Sequence, residues 1–531
     1  MIQALLQPEA YPHPVAGLAL IETHISWVLL TGTLAYKIKK SVDLGFVQTS
    51  SLEQRLHCCR EELRLNRRLA PDLYEAVVPV VGPPECARIL AEPWDSQDLE
   101  SGSRLDVAVR MRQFDPQALL HHGLKLGVVN SAHLSDLAWE LGLFHQHAAL
   151  NDPTSDYGHP DSIIEPVVTN LNILDQLATS PSQTSQLSAH RAWVEQQQAL
   201  LQCRFEARRQ DGAIRECHGD LHCGNIRRTS KGRLEVFDAI DFSPKLRWID
   251  PISEMAFLVM DLQTQGHTTE GLQVLNTWLE CTGAYEGLDL WPWYFAYRAM
   301  VRAKVSALQA DRCRDPQQRE RLFEDLNRYL ITAASCEPRP SGGLVLMHGL
   351  SGSGKSTLSQ ALIGPLHAVR IRSDRERHRA FSVMKQQPAR FTGDRYRPEI
   401  STWLFHEHLP SLVQAALNSG YVVIVDATFL RKREREVMAD CAQAMGRPWA
   451  IVSCRCSDNT AQERLRQRLR AGDDPSEADQ AVRQQQSQWL EPLDAMEQAR
   501  SVLAEESTSP AAVAEALRAL IVQPQTPRNN P

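Results

Sequence analysis

The stretch that decides the fold is Gly349-Leu350-Ser351-Gly352-Ser353-Gly354-Lys355-Ser356-Thr357. The apolar run Leu344-Val345-Leu346-Met347 precedes it and the helix-compatible segment Leu358 to Ile363 follows. Strand, glycine-rich loop and helix in that order form a phosphate-binding loop. Gly349, Gly352 and Gly354 permit backbone angles that a Cβ forbids. The loop can then turn its N–H groups inward around phosphate oxygens, with the positive end of the next helix behind them. In this pattern Lys355 reaches the β- and γ-phosphates and the Ser356 hydroxyl ligates Mg²⁺. The implied cofactors are ATP and Mg²⁺.

Working outward, strands and helices alternate on the C-terminal side. Val369 to Arg372 and Tyr421 to Val425 read as strands, Pro398 to Asn418 and Arg431 to Met445 as helices, Trp449 to Val452 as a strand and Asn459 to Arg470 as an arginine-rich helix. This alternation predicts a parallel sheet flanked by helices. Asp374 and Asp426 each follow a strand, at the carboxyl edge where open α/β sheets bind ligands. Asp426 suits support of Mg²⁺, and Asp374 suits proton acceptance from an attacking hydroxyl. Arg464 and Arg468 share a helix face by their i,i+4 spacing and suit stabilisation of charge on the transferring phosphoryl.

Before the loop, the Pro/Gly/Ser-rich stretch 336–342 predicts a linker. The first ~110 residues read as strands with one charged helix, Leu52 to Leu69. Strand alternation puts Lys37 and Lys39 on one face. Residues 117–335 read as mostly helical, interrupted by Glu216 to Phe242. That interruption carries His218-Gly219-Asp220-Leu221-His222-Cys223-Gly224-Asn225 and Asp238-Ala239-Ile240-Asp241. Its carboxylates and Asn225 are oxygen ligands of the kind that hold a divalent metal.

The chain has 531 residues, 43% hydrophobic and 23% charged, which predicts a multidomain globular protein. A net charge of −7 supplies no general attraction to nucleic acid or membranes, and neither is expected as a partner. No apolar run is long enough to span a bilayer, and Met1 to Ala10 lacks the basic start of a secretory signal. The 12 cysteines follow no framework spacing, so reduced thiols and a cytoplasmic location are expected.

Two resemblances add to this reading. Gly349 to Thr357, Ser373-Asp374-Arg375, Val422 to Thr428 and Arg464 to Asp479 resemble small P-loop kinases, the group containing polynucleotide kinase, zeta toxin and gluconate kinase. That likeness implies an acid after the second strand at the acceptor hydroxyl and lid arginines over ATP. The segment His218 to Asn225 resembles the catalytic loop of aminoglycoside phosphotransferases and related protein-kinase-like enzymes. It implies Asp220 as catalytic base, Asn225 and Asp241 as metal ligands, Lys37 on the nucleotide phosphates and Glu62 as its helix partner. Asp238, Lys39 and Glu61 compete for the last three of these roles. The whole resembles bacterial fusions of an aminoglycoside phosphotransferase-like domain with an AAA-family ATP-binding domain. The expected organisation is therefore a bilobal kinase-like domain at 1–335 (lobes 1–113 and 114–335), a linker, a P-loop domain at 343–522 and a disordered tail at 523–531. The expected activity is ATP-dependent phosphoryl transfer, from two nucleotide sites, to a hydroxyl of a small molecule or nucleotide. The competing reading is a regulatory P-loop ATPase with a non-catalytic kinase-like binding domain.

Overall fold

The computed structural model describes residues 1–43, 48–95, 104–152, 154–336, 342–385, 398–471 and 480–521. Most of the expected linker and the whole expected tail lie outside them. By contacts the chain forms two compact units. The front unit comprises Met1–Leu137, His147–Ile163 and Phe205–Leu258; the back unit comprises Ala138–Gln146, Ile164–Arg204 and Val259–Pro531. Helices that precede residue 336 thus pack with the C-terminal sheet.

The front unit carries a six-stranded antiparallel sheet. Its strands are β1 (Ala19–Glu22), β2 (Ser26–Leu30), β3 (Leu34–Lys39), β4 (Tyr74–Val81), β5 (Arg88–Ile89) and β6 (Arg104–Arg112), in the spatial order β1-β2-β3-β6-β4-β5. The helix α1 (Leu52–Asn66) starts at a capping box in which Ser51 and Gln54 satisfy each other's backbone N–H groups. Alternation sorts the strand residues onto two faces. Leu29, Tyr36, Ile38, Val78 and Ala108 enter one apolar cluster, while Val77, Val107 and Val109 meet Cys59 of α1 in another. Lys37 and Lys39 therefore lie on the face opposite Tyr36 and Ile38. A hairpin, β7 (Ile226–Arg228) with β8 (Leu234–Val236), follows the His218–Asn225 loop. Sequence periodicity missed β1, whose residues are exposed throughout.

In the back unit, α2 (Thr268–Thr282) precedes the parallel sheet. The chain then runs through β9 (Leu344–His348), α3 (Lys355–Leu366), β10 (Ala368–Arg372), α4 (Ser373–Lys385), β11 (Val422–Asp426), β12 (Trp449–Cys454), α5 (Asp458–Ala471), α6 (Gln480–Trp489) and β13 (Ser501–Ala504). The order is β10-β11-β9-β12-β13, with every pairing parallel. β9, β11 and β12 are buried along their full length, which explains their unbroken apolar runs. The expected mixed α/β class is the one observed, with an antiparallel sheet in the front unit and a parallel sheet in the back unit. The continuous helix expected over Pro398–Asn418 is interrupted by a π-helical turn at Leu404–His408. Pro410 follows that turn, and its missing N–H removes the donor that would have closed a regular ladder there.

β10 is a sheet edge, and side chains of the preceding helical segment cover it. Asn276 of α2 donates from Nδ2 to the Ala368 carbonyl at 3.0 Å and accepts the Arg370 N–H on Oδ1 at 2.6 Å. The Tyr285 hydroxyl donates to the Arg370 carbonyl at 3.1 Å. One amide thus stands in for a neighbouring strand. Asn276→Leu leaves two buried backbone groups unpaired and is expected to cost about 2–4 kcal/mol in urea denaturation. A cost below about 0.5 kcal/mol would show that the bracket contributes little.

Candidate functional site

In the back unit, β9 delivers the buried chain to Gly349, where φ is +135°. A Cβ there would lie 2.5 Å from the Cys454 carbonyl oxygen at the end of β12. At Gly352, with φ of +82°, a Cβ would lie 3.0 Å from the Ala461 carbonyl of α5. Only glycine fits these two approaches. The loop is braced from α6 as well: Gln486 Oε1 accepts the Ser351 N–H at 2.9 Å, and Arg483 Nη1 donates to the Ser351 carbonyl at 2.6 Å. Lys355 Nζ donates to the Leu350 carbonyl at 2.8 Å, so the loop curls around its own lysine.

A cavity of about 580 Å³ opens beside the loop. Ser351, Gly352, Gly354, Lys355 and Ser356 line one side of it, and Asp374 and Asp426 come to it from the ends of β10 and β11. Gly349, Leu350 and Ser353 shape the loop without lining this space, and Thr357 faces solvent. Asp426 is buried, accepts the Ser359 hydroxyl on Oδ2 at 3.1 Å and lies 3.8 Å from Arg372 Nε. Asp374 stands half-buried in the first turn of α4. Arg464 donates to the Gly352 carbonyl at 3.4 Å, behind the loop. The Arg468 side chain lies outside the described residues. The cavity also gathers Arg372, Arg377, Arg431 and Arg433, none of which the sequence reading singled out. Arg372 ends one strand segment and Arg431 closely follows another, so both could have been found that way. Arg483 and Gln486 sit in a glutamine-rich helix with no motif to mark them.

In the front unit, Asn225 Nδ2 donates to the Asp220 carbonyl at 2.9 Å and to its Oδ2 at 3.0 Å. His222 Nε2 lies 3.5 Å from the same carboxylate. Glu254, which no motif marked, accepts the N–H groups of His218 and Gly219 at 3.1 and 2.6 Å and so anchors the loop. Lys37 Nζ lies 2.8 Å from Glu62 and 2.5 Å from Asp238; Lys39 Nζ lies 2.6 Å from Glu62 and 2.7 Å from Asp241. Both lysines therefore share Glu62, while Glu61 turns to Arg64 and Arg247. Burial opposes the Lys37 charge, yet Asp238, Glu62 and Asp241 hold its pKa well above the ordinary range. Burial also works against Glu62, but the two ammonium groups hold its pKa low. Burial raises that of Asp241.

His348, the last residue of β9, is buried behind the phosphate loop, with Nδ1 3.3 Å from Ser453 Oγ. Burial, with the charges of Arg435 and Lys355 added, pushes its pKa from 6.5 down to about 4. The unfolded chain takes up this proton below about pH 6.5, whereas the folded chain resists until near pH 4. Stability is therefore lost as pH falls through that window. His348→Asn is expected to remove up to about 3 kcal/mol of this loss. Urea denaturation from pH 7 to 4 should show the parent falling relative to the variant; parallel curves would contradict the assignment.

Residues 344–493 match the family described as an AAA domain. Across its length the chain is 28% identical over 454 residues to an uncharacterized protein of Mycobacterium tuberculosis, covering 84% of this chain and 85% of that protein. Among solved structures, a choline kinase from Cryptosporidium parvum aligns over 62% of this chain and 94% of its own, with 9% identity and a TM-score of 0.38. A gluconokinase from Sinorhizobium meliloti aligns over 34% of this chain and 91% of its own, with 23% identity and a TM-score of 0.24.

Proposed function

We propose that this chain is an ATP-dependent phosphotransferase with its reaction centre in the back cavity, transferring the γ-phosphoryl group to a hydroxyl of a small molecule or nucleotide. The observation that carries this reading is the convergence of Lys355, Ser356, Asp374 and Asp426 on one cavity. The loop amides and the α3 N-terminus hold the β- and γ-phosphates. Lys355 exchanges the Leu350 carbonyl for a phosphate oxygen. Ser356 and the buried carboxylate of Asp426 form a hard oxygen donor set for Mg²⁺, which when bound neutralises phosphate charge. Asp374 accepts the acceptor's proton as its oxygen attacks phosphorus. Arg377, Arg431 and Arg433 give the cavity an excess of positive charge that favours an anionic acceptor. The front unit, with Lys37 and Asp220, is the candidate second nucleotide site.

Labelled ATP incubated with panels of alcohols, sugars, sugar acids and nucleotides tests the reading. Lys355→Ala is expected to lower acceptor-dependent turnover at least about 10³-fold. Asp374→Asn should lower kcat by about 10² to 10⁴-fold with little change in the KM for ATP. ATP hydrolysis that needs no acceptor and survives Asp374→Asn would instead identify a switch ATPase.

A further inference from the structure

The front unit holds a second ammonium that phosphate binding does not call for. Lys37 already reaches Glu62 and Asp238. Two residues along the same strand face, Lys39 is pinned in β3 by its pairing with Ser26, and its side chain is only 3% exposed. Its Nζ lies 2.7 Å from Asp241 Oδ2 and 2.6 Å from Glu62 Oε2. The Asp241 side chain is equally enclosed, at 4% exposure. A divalent ion collects about six oxygen ligands at roughly 2.0–2.6 Å. An ion on Asp241 Oδ2 would therefore stand within about 5 Å of the Lys39 ammonium. Two cations so close, with little water between them, repel strongly. Lys39 cannot withdraw without leaving Glu62 and Asp241 buried and short of positive charge. A carboxylate already held by this buried ammonium does not fit a divalent ion.

We propose that the Lys39 ammonium is a built-in counter-ion that takes the place of a divalent metal on Asp241. Phosphate groups received on Lys37 in the front unit then find no metal at that carboxylate. This inference stands apart from the reading of the back cavity, since none of its residues lies there.

Manganese bound to the full chain, counted by electron paramagnetic resonance at saturating ATP, tests it. Asp241→Asn is expected to leave the number and affinity of bound Mn²⁺ unchanged. Lys39→Met and Lys39→Gln should each gain one Mn²⁺ site, and adding Asp241→Asn should abolish it. The inference is overturned if Asp241→Asn alone, with Lys39 intact, removes a site or weakens one more than tenfold. It is also overturned if a folded Lys39 variant gains none. Should both Lys39 variants fail to fold, the Asp241→Asn count decides alone: retention supports the inference and loss overturns it. Ser356→Ala reports on the back site separately, because its effect on Mn²⁺ does not involve Asp241.

Discussion

The close approach of the Gly349–Gly354 backbone to β12 and α5 is the constraint on which the back site depends. A loop that must pass within van der Waals contact of the Cys454 and Ala461 carbonyls has few conformations open to it. α6 adds hydrogen bonds to both polar groups of the Ser351 backbone. Preorganisation of this kind spares binding the cost of ordering a flexible segment. The parallel register then supplies the rest. Arg372 pairs with Asp426, so the chain leaves β10 and β11 at the same level of the sheet. Asp374 and Asp426 reach one cavity for that reason, and the loop leaves β9 at the same carboxyl edge.

Buried charge organises the regions around both sites in paired clusters. Glu62 serves two lysines, Glu280 meets Arg370 and lies 3.6 Å from Arg372, and Arg435 forks onto Glu497 at 2.7 and 3.1 Å. Removing one partner of such a group strands the other, which makes these clusters costly to break and strict about geometry. In the back unit the chain Glu280–Arg372–Asp426 carries this order from α2 to the edge of the cavity.

Much of this was legible in the sequence because the governing signals are local. Unbroken apolar runs announced β9, β11 and β12, and the glycine spacing announced the loop between β9 and α3. The pairing of Lys37 with Glu62 could be reached from resemblance, but the choice between Glu61 and Glu62 depends on helix phase and on where Arg64 and Arg247 lie. Side chains that act across long sequence separations left no trace. Asn276 bracketing β10, Glu254 anchoring the His218 loop, and Arg483 and Gln486 bracing Ser351 each meet partners 35 or more residues away. The exposed β1 lacks the alternation that marks a half-buried strand, and the π turn before Pro410 is a local break inside a helical pattern.

Hydrogen exchange read by mass spectrometry, with and without ATP and Mg²⁺, tests the central claim most directly. If the loop backbone grips the triphosphate, peptides spanning Gly349–Thr357 should exchange markedly more slowly when nucleotide is bound. Unchanged exchange there, with nucleotide bound and protection confined to other parts of the chain, would contradict the account.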